Sequence, residues 1–300
     1  MKNKKILVTG GAGFIGSNLT LTLQEKFPDN EYFVMDDFSS GDYKNLLGFK
    51  GEVISEDVSC VNLSDYFKKL DVIFHQAAVT DTTVFDQDLM MKKNVGGFKN
   101  VLQFALASKA KLIYASSAAV YGHSNPPMIV GQSEMPANIY GFSKLVTDNM
   151  ARKYFKDLHI VGLRYFNVYG PKEKHKGKMA SQIWQLYLQM KAGKNPRLFK
   201  DGQQARDQVY VKDVVSANIL AMGSSESGIF NVGTGQTTTF NKIVEILKTA
   251  TGDNLNPEYI NNPYEHYQEN TQADLSQTQE KLNYYPAYNI EQGIKDYFKT

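Results

Sequence analysis

Residues 9–16, Thr9-Gly10-Gly11-Ala12-Gly13-Phe14-Ile15-Gly16, follow an apolar run at Lys5 to Val8 and precede an apolar helical pattern at Ile15 to Phe27. Their glycines combine the spacings G-x-G-x-x-G and G-x-x-G-x-x-G. Missing side chains permit a tight turn and let backbone N–H groups approach a pyrophosphate at a helix N-terminus. Two acids, Asp36 and Asp37, end the next apolar run about 20 residues further on, where a ribose-binding acid is expected. The stretch therefore predicts a strand, a turn and a helix that bind a dinucleotide.

The choice between NAD and NADP stays open in this part of the sequence. Asp36 is placed to accept a hydrogen bond from a ribose 2′-hydroxyl, which favours NAD. Lys44 and Lys50 follow shortly after and could bind the 2′-phosphate of NADP, although a single lysine is more often solvated surface. We expect NADP, with NAD as the alternative.

Short apolar runs alternate with longer amphipathic stretches over the first half of the chain. The runs after the first are Tyr32 to Met35, Asp71 to His75, Leu112 to Ala115, Ile160 to Arg164 and Gly228 to Val232. Continuous apolar strands separated by helices are typical of a parallel sheet covered on both faces. The pattern predicts an α/β fold, a Rossmann-type doubly wound parallel sheet with a smaller C-terminal substrate-binding domain. We place the dinucleotide-binding domain at 1–167 plus about 208–233, and the second domain at about 168–207 plus 234–300.

Composition excludes several classes of function. The 300 residues contain 33 Lys plus Arg against 31 Asp plus Glu, and this net charge of +2 argues against nucleic-acid binding. No run approaches the roughly 18 apolar residues of a membrane span, so we expect no membrane partner. The single cysteine, Cys60, leaves no intrachain disulfide and fits a reducing cytoplasm. The five histidines show no metal-ligand spacing, and we expect no metal.

A second group of chemistry-bearing residues follows the apolar run at Leu112 to Ala115. Ser117 stands in Ser116-Ser117-Ala118-Ala119-Val120-Tyr121-Gly122, and Tyr140 and Lys144 stand four apart in Tyr140-Gly141-Phe142-Ser143-Lys144. Residues i and i+4 share a helix face, so both side chains are expected in one site. A tyrosine with a pKa of about 10 is a poor base, and a neighbouring cation lowers that pKa. We therefore expect Tyr140 to be a general acid/base with a lowered pKa, and a serine hydroxyl to bind the substrate oxygen.

The glycine turn, His75-Gln76-Ala77-Ala78, S-S-A-A-V-Y-G and Y-G-F-S-K together resemble the extended short-chain dehydrogenase/reductase family of nucleotide-sugar enzymes. The resemblance implies that Tyr140 is the acid/base and that Lys144 binds the nicotinamide ribose and tunes Tyr140. It also implies that Ser117 assists and that Asn94, in N-V-G-G, lies near the cofactor. The 4,6-dehydratases of this family carry an Asp-Glu pair where this chain has Ala118-Ala119, which favours epimerisation or plain redox chemistry over dehydration.

A narrower resemblance lies further along the chain. Lys172-Glu173-Lys174-His175-Lys176-Gly177-Lys178-Met179-Ala180-Ser181 resembles the corresponding run of the ADP-L-glycero-D-manno-heptose 6-epimerases. In those enzymes the lysine at the position of Lys176 is implicated as a second acid/base. Epimerisation by transient oxidation of a secondary alcohol returns hydride to the opposite face of the ketone. A second proton donor can then protonate the oxygen in that orientation. The resemblance implies conversion of ADP-D-glycero-D-manno-heptose to its L-glycero epimer at C6, in the supply of lipopolysaccharide core heptose.

The predicted site falls into three sets of residues. The catalytic set is Tyr140, Lys144, Lys176 and Ser117. The cofactor-binding set is Gly10, Gly13, Phe14, Ile15, Gly16, Asp36, Asp37, Lys44, Gln76, Ala77, Ala78, Asn94, Tyr140, Lys144 and Val168. The substrate-binding set is Ser117, Asn167, Lys178, Phe199, Lys200, Asp201, Gly202, Arg206 and Tyr267.

Two other functions stay open at this point. One is another nucleotide-sugar epimerase or reductase, such as a UDP-hexose 4-epimerase. The other is a dinucleotide sensor without catalytic activity, although such proteins typically lose the Tyr and Lys pair that is present here. The expected partner is a nucleotide-diphosphate-heptose. The resemblance also implies a homo-oligomer, with a pentamer as the candidate taken from the heptose enzymes.

Overall fold

The computed structural model describes residues 2–252, 254–262 and 269–299. The strands are β1 (Lys5–Thr9), β2 (Glu31–Met35), β3 (Glu52–Ile54), β4 (Val72–His75), β5 (Lys111–Ser117), β6 (Ile160–Tyr165), β7 (Asn167–Tyr169), β8 (Arg197–Phe199), β9 (Ala205–Arg206), β10 (Gln208–Tyr210), β11 (Gly228–Val232), β12 (Thr238–Thr239) and β13 (Glu258–Ile260). The α-helices are α1 (Phe14–Lys26), α2 (Gln87–Met90), α3 (Gly97–Ser108), α4 (Ile139–Arg152), α5 (Gln182–Lys191), α6 (Val211–Gly223), α7 (Phe240–Thr251), α8 (Ser276–Leu282) and α9 (Ile290–Phe298).

A central sheet of seven strands, all parallel, runs in the spatial order β11-β6-β5-β4-β1-β2-β3 within the described residues. Alternate side chains of β1 enter two different cores. Ile6 and Val8 pack with residues of α1 and α6, whereas Leu7 packs with residues of α3 and α4. Because helices cover both faces, the strands are apolar throughout, and the predicted doubly wound α/β fold is confirmed.

The strand order reverses beside β1, and this places the site. β1 lies between β2 and β4, with Thr9 opposite Met35 on one side and His75 on the other. The carboxyl ends of these strands meet at one edge of the sheet, where α/β proteins bind their ligands. The glycine turn after Thr9 and the residues after His75 therefore converge there.

The later segments form a third core and three two-stranded sheets in the described part of the chain. The pairs are β7 with β10, β9 with β12, and β8 with β13. The third core contains apolar residues of α5, α7 and α9, among them Ile183, Ile243 and Ile294. No helix in the described ranges is long and apolar enough to cross a bilayer.

Candidate active site

Of the four glycines in the turn, Gly10 and Gly16 are closely approached by backbone atoms, whereas Gly13 is less crowded. A Cβ on Gly16 would lie 2.1 Å from the Gly10 carbonyl oxygen, and a Cβ on Gly10, where φ is +68°, would lie 2.6 Å from the Ala77 nitrogen. A Cβ on Gly13 would meet only the Gly10 oxygen, at 3.2 Å. Gly13 is the N-cap residue of α1 and has no side chain to cover the N–H groups of the first turn. The turn therefore leaves donors at a helix N-terminus for an anion such as a pyrophosphate.

Asp36 holds this turn in place. Its Oδ2 accepts a hydrogen bond from the Ala12 N–H (2.8 Å), and its Oδ1 accepts one from the Phe38 N–H (2.9 Å). Burial raises the pKa of Asp36, and these two hydrogen bonds oppose that shift. Asp36 therefore links the end of β2 to the turn after β1.

The other charged candidates near β2 are more open to solvent. Asp37 is exposed and lies 3.5 Å from the Lys93 ammonium, which also pairs with Asp57. Lys44 and Lys50 are both exposed, and the Lys44 ammonium lies 5.9 Å from the centre of the Tyr43 ring.

The segment after β4 is fixed by two side-chain amides. Asn94 lies in a π-helical turn and is buried; its Oδ1 accepts from the Val79 N–H (2.8 Å), and its Nδ2 donates to the Val79 carbonyl (3.0 Å) and to Ser143 Oγ (3.0 Å). Gln76 bonds through its two amide atoms to Asn218 (3.2 Å) and Tyr165 (3.1 Å). Ala77 and Ala78 follow Gln76 and are half-buried. Asn94 thus connects the predicted cofactor segment to α4.

Tyr140, Lys144 and Ser117 meet where β5 ends and α4 begins. Asn138 caps α4 by accepting from the Gly141 N–H (2.8 Å), so Tyr140 and Lys144 stand one turn apart. The buried Lys144 ammonium donates to the Ala115 carbonyl (2.9 Å) and lies 5.8 Å from the centre of the Tyr140 ring. Three of the four predicted catalytic residues, Tyr140, Lys144 and Ser117, are therefore brought together and are called the Tyr140 group below.

The charge states of this group differ from the sequence expectation. Burial raises the pKa of Tyr140, and a hydrogen bond from Ser117 opposes the rise. Burial also lowers the pKa of Lys144 to about 8, while the charge of Asp148 works in the opposite direction. The prediction of a lowered Tyr140 pKa is therefore wrong in direction, because desolvation of the phenolate dominates.

The lysine-rich loop before α5, residues 172–179 and called the Lys176 loop below, lies against the start of α1. The Lys176 ammonium is 5.8 Å from the centre of the Phe14 ring, and burial lowers the pKa of Lys176 while the Glu173 charge opposes this. Lys174 and Lys178 are exposed. Of these three lysines, only Lys176 is drawn into the protein.

Glu173 shapes this loop, and sequence reasoning missed it. The carboxylate is fully buried and accepts hydrogen bonds from the Gly170 N–H (3.0 Å), from Ser181 Oγ (2.9 Å) and from the Ser181 N–H. Its position as the single acid between Lys172 and Lys178 was an available signal.

Asp207 organises the predicted substrate side and was also missed. Its Oδ1 accepts from the N–H and hydroxyl of Thr234 (both 2.7 Å), and its Oδ2 accepts from the N–H groups of Gly235 (2.9 Å) and Ala273 (3.0 Å). Asn167 donates to the Asp207 carbonyl (3.2 Å) and to Thr271 Oγ1 (3.1 Å). One buried carboxylate therefore joins three segments that are far apart in the chain.

Most of the remaining substrate candidates lie in or beside β8 and β9. Arg206 is buried and donates to the carbonyls of Ala205 (3.1 Å) and Glu269. Lys200 forms an ion pair with the Glu269 carboxylate. Gly202 has φ of +71°, and a Cβ there would lie 2.3 Å from Asn241 Oδ1. The other predicted positions are half-buried Ile15, Val168 and Phe199, exposed Asp201, and Tyr267, which lies outside the described residues.

A protein-family model matches residues 6–233 of this chain. The family it describes is the NAD dependent epimerase/dehydratase family. The chain belongs to that family. The match spans the glycine turn, Asn94, the Tyr140 group and the Lys176 loop. The resemblance expected from the sequence is therefore confirmed, and a nicotinamide dinucleotide is the family's cofactor.

Relatives within the family are similar over almost the whole chain. An ADP-L-glycero-D-manno-heptose-6-epimerase of Brachyspira hyodysenteriae is 39% identical, with 97% of this chain and 96% of that protein covered. The crystal structure of the enzyme of the same name from Helicobacter pylori is 48% identical, covers 99% of this chain and 96% of its own, and has a TM-score of 0.94. A UDP-glucose 4-epimerase from Thermotoga maritima, solved with UDP-glucose, is 30% identical with a TM-score of 0.90 and coverages of 98% and 97%.

Proposed function

We propose that this family member interconverts ADP-D-glycero-D-manno-heptose and ADP-L-glycero-D-manno-heptose at C6, by oxidation and re-reduction. The observation that carries the proposal is the Lys176 loop. It supplies a half-buried amine at the start of α1, separate from the Tyr140 group at the start of α4. Two relatives that are 39% and 48% identical to this chain carry the name of this activity. An epimerase that works through a ketone uses two proton-transfer groups, and this site offers two.

The residues divide the proton chemistry between them. A bound nicotinamide would accept a hydride from C6 and return it to the other face of the C6 ketone. Tyr140 Oη exchanges a proton with the C6 oxygen, and a hydrogen bond with Ser117 opposes the rise in the pKa of Tyr140. Lys144 supplies positive charge beside the tyrosine ring. Lys176 donates a proton to the C6 oxygen as the alcohol re-forms with inverted configuration, and transfer of a proton from Tyr140 to Lys176 through solvent would return both groups to their starting state.

We propose NADP as the resident cofactor, with NAD as the alternative. Asp36 already accepts two backbone hydrogen bonds, which leaves it less free to bind a ribose 2′-hydroxyl. Lys44 and Lys50 are exposed beyond the end of β2, where a 2′-phosphate would need a cation. Lys44→Met is expected to weaken NADP about 10-fold in calorimetric titration and to leave NAD unchanged. Equal weakening of both cofactors would contradict the choice of NADP.

We also propose a division of the chain into two domains, an oligomeric state and a cellular location. The sheet and the glycine turn support a dinucleotide-binding domain at 1–167 plus about 208–233. The third core and the small strand pairs support a nucleotide-sugar domain made of the other segments. Family resemblance supports a homo-oligomer, with a pentamer as the candidate, and the single cysteine, Cys60, supports a location in the reducing cytoplasm. Sedimentation of the purified protein tests the assembly.

The decisive experiment incubates purified protein with ADP-D-glycero-D-manno-heptose and no added cofactor, and resolves the two epimers by proton NMR. We expect an equilibrium mixture, because the cofactor returns to its starting oxidation state. Tyr140→Phe should slow the approach to equilibrium by about 10²–10⁴-fold, the range of general acid–base catalysis. Phe142→Ala, on an exposed position of the same helix, is the matched control and should retain the rate. An unimpaired Tyr140→Phe variant would refute the assigned mechanism.

The same assay separates the alternatives. Conversion of UDP-galactose as fast as the heptose would favour a UDP-hexose 4-epimerase, as in the Thermotoga relative. Protein that retains cofactor and converts neither sugar, even with added NADP or NAD, would favour a sensor. The Tyr140 and Lys144 pair argues against a sensor, because a binding module needs no buried acid/base pair.

A further inference from the structure

The segment after β2 contacts the Lys176 loop although the two lie more than a hundred residues apart. Asn45 is buried in the 3₁₀ turn Tyr43–Leu46. Its Nδ2 donates to the carbonyl oxygen of Ala12 in the glycine turn (3.0 Å) and lies within hydrogen-bond distance of Nδ1 of His175 (3.1 Å). One side-chain amide therefore contacts both the cofactor turn and the residue next to Lys176.

The Lys176 loop returns a second hydrogen bond to the same residue. Lys172 Nζ donates to the Asn45 carbonyl oxygen at 2.6 Å. Asn45 Nδ2 also donates to the Lys172 carbonyl oxygen (3.4 Å). Burial lowers the pKa of His175, which favours the neutral imidazole. Both ends of the Lys172 to His175 segment are thus attached to Asn45.

A side chain of α1 also attaches the start of this loop. Asn18 Nδ2, on α1, donates to the Pro171 carbonyl at 2.9 Å. That bond fixes the chain before Lys172, whereas Asn45 acts immediately before Lys176. The position of the Lys176 ammonium over Phe14 therefore depends on Asn45 more directly than on Asn18.

We propose that Asn45 is a positioning residue that ties the Lys176 loop to the cofactor-binding turn. The role of Lys176 as proton donor rests on the proposed function, whereas the tie, meaning the attachment of the Lys176 loop to Asn45, does not. A displacement of about 1 Å in a proton donor lowers turnover by up to about 100-fold. Asn45 touches neither reacting atom, so its loss acts through Lys176.

The test compares Asn45→Ala with Asn62→Ala. Asn62 caps a different 3₁₀ turn; it is exposed, and its side chain bonds to Ser64 and Asp65. In Asn45→Ala we expect kcat for epimerisation to fall about 10- to 100-fold with KM changed less than about 3-fold. Hydrogen exchange should rise in residues 172–179 and stay unchanged in α4. Asn62→Ala should match the wild type in every readout.

A second measurement keeps the tie testable whatever the substrate is. Labelling by an amine reagent, read by mass spectrometry, should speed up at Lys176 in Asn45→Ala and stay constant at the already exposed Lys178. If wild type fails to convert the heptose while labelling and exchange change as expected, the proposed function fails and the tie stands. Unchanged exchange and labelling in a folded Asn45→Ala protein would overturn the tie.

A loop-side variant covers the case in which Asn45→Ala does not fold. His175→Ala removes the acceptor and leaves Asn45 bonded to Ala12. It should reproduce the increase in exchange over 172–179 and the faster labelling of Lys176. The double variant, if folded, should add little to Asn45→Ala, because both single changes remove the Asn45–His175 contact. Fully additive changes, or no change in His175→Ala, would show that the two residues act independently and would overturn the proposal.

Discussion

Around the glycine turn the site is shaped by backbone atoms that approach one another closely, whereas around Asp207 it is shaped by hydrogen bonds to one buried carboxylate. Gly16 has space for no Cβ, because the Gly10 carbonyl fills that position. Asp207 instead accepts four hydrogen bonds from Thr234, Gly235 and Ala273. A close approach of backbones shows in the sequence as glycines at fixed spacing, while a carboxylate that joins distant segments leaves no spacing to read.

The largest effect is expected at the carboxylate. Asp207→Ala leaves one buried and two half-buried N–H groups without their side-chain acceptor, and each unsatisfied group costs about 1–3 kcal/mol. We expect the free energy of unfolding in urea to fall by about 3–5 kcal/mol after local relaxation. The matched control is Asp86→Ala, which removes an exposed helix cap on Leu89 and should cost about 1 kcal/mol. Equal losses in both variants would show that Asp207 is not a structural centre.

Substitutions of Gly16 and Gly13 should have different effects, the first on stability and the second on cofactor binding. Gly16→Ala places a Cβ 2.1 Å from a backbone oxygen and should destabilise the fold by about 2–3 kcal/mol. Gly13→Ala meets only a contact at 3.2 Å and should cost less than about 1 kcal/mol, yet weaken the dinucleotide about 10-fold or more by blocking its approach. Thermal unfolding and cofactor titration of both variants check this. A Gly13→Ala protein with normal cofactor affinity would place the pyrophosphate elsewhere.

The smallest effect concerns a buried histidine beside the turn. His75 Nδ1 bonds to Thr9 Oγ1 (2.8 Å), and burial lowers the pKa of His75 to about 3. The unfolded chain, with a histidine pKa of about 6.5, takes up a proton first as pH falls, so stability is full above that value and is lost between about 6.5 and about 3. From about pH 7 to about pH 5 this loss amounts to about 2 kcal/mol. His75→Gln does not titrate, so its urea stability should depend less on pH by that amount; parallel curves would contradict this.

Secondary structure was predictable where an element is long or strongly patterned. The apolar runs Tyr32 to Met35 and Ile160 to Arg164 match β2 and β6 within one residue at each end. The sequence prediction missed β3 and the two- or three-residue strands β7 to β10, β12 and β13. Such short strands show no periodicity of their own, and they form only where a partner strand offers free hydrogen-bonding groups.

Of the candidate site, the parts read correctly are those whose chemistry is local. Tyr140 and Lys144 share a helix face because they are four residues apart, and the glycines close the turn because of their spacing. Family resemblance, rather than spacing, pointed to Lys176. Glu173 and Asp207 were missed because their partners lie elsewhere in space.

The sequence by itself determined the doubly wound sheet, the glycine turn, the Tyr140 and Lys144 pair and the family. These features depend on hydrophobic periodicity and residue spacing, which are properties of the chain alone. Tertiary structure decided that the pKa of Tyr140 rises, that Asp207 joins three segments, and that Asn45 contacts the Lys176 loop. Desolvation and long-range hydrogen bonds depend on what the fold brings within a few ångströms, and no window of sequence contains that information.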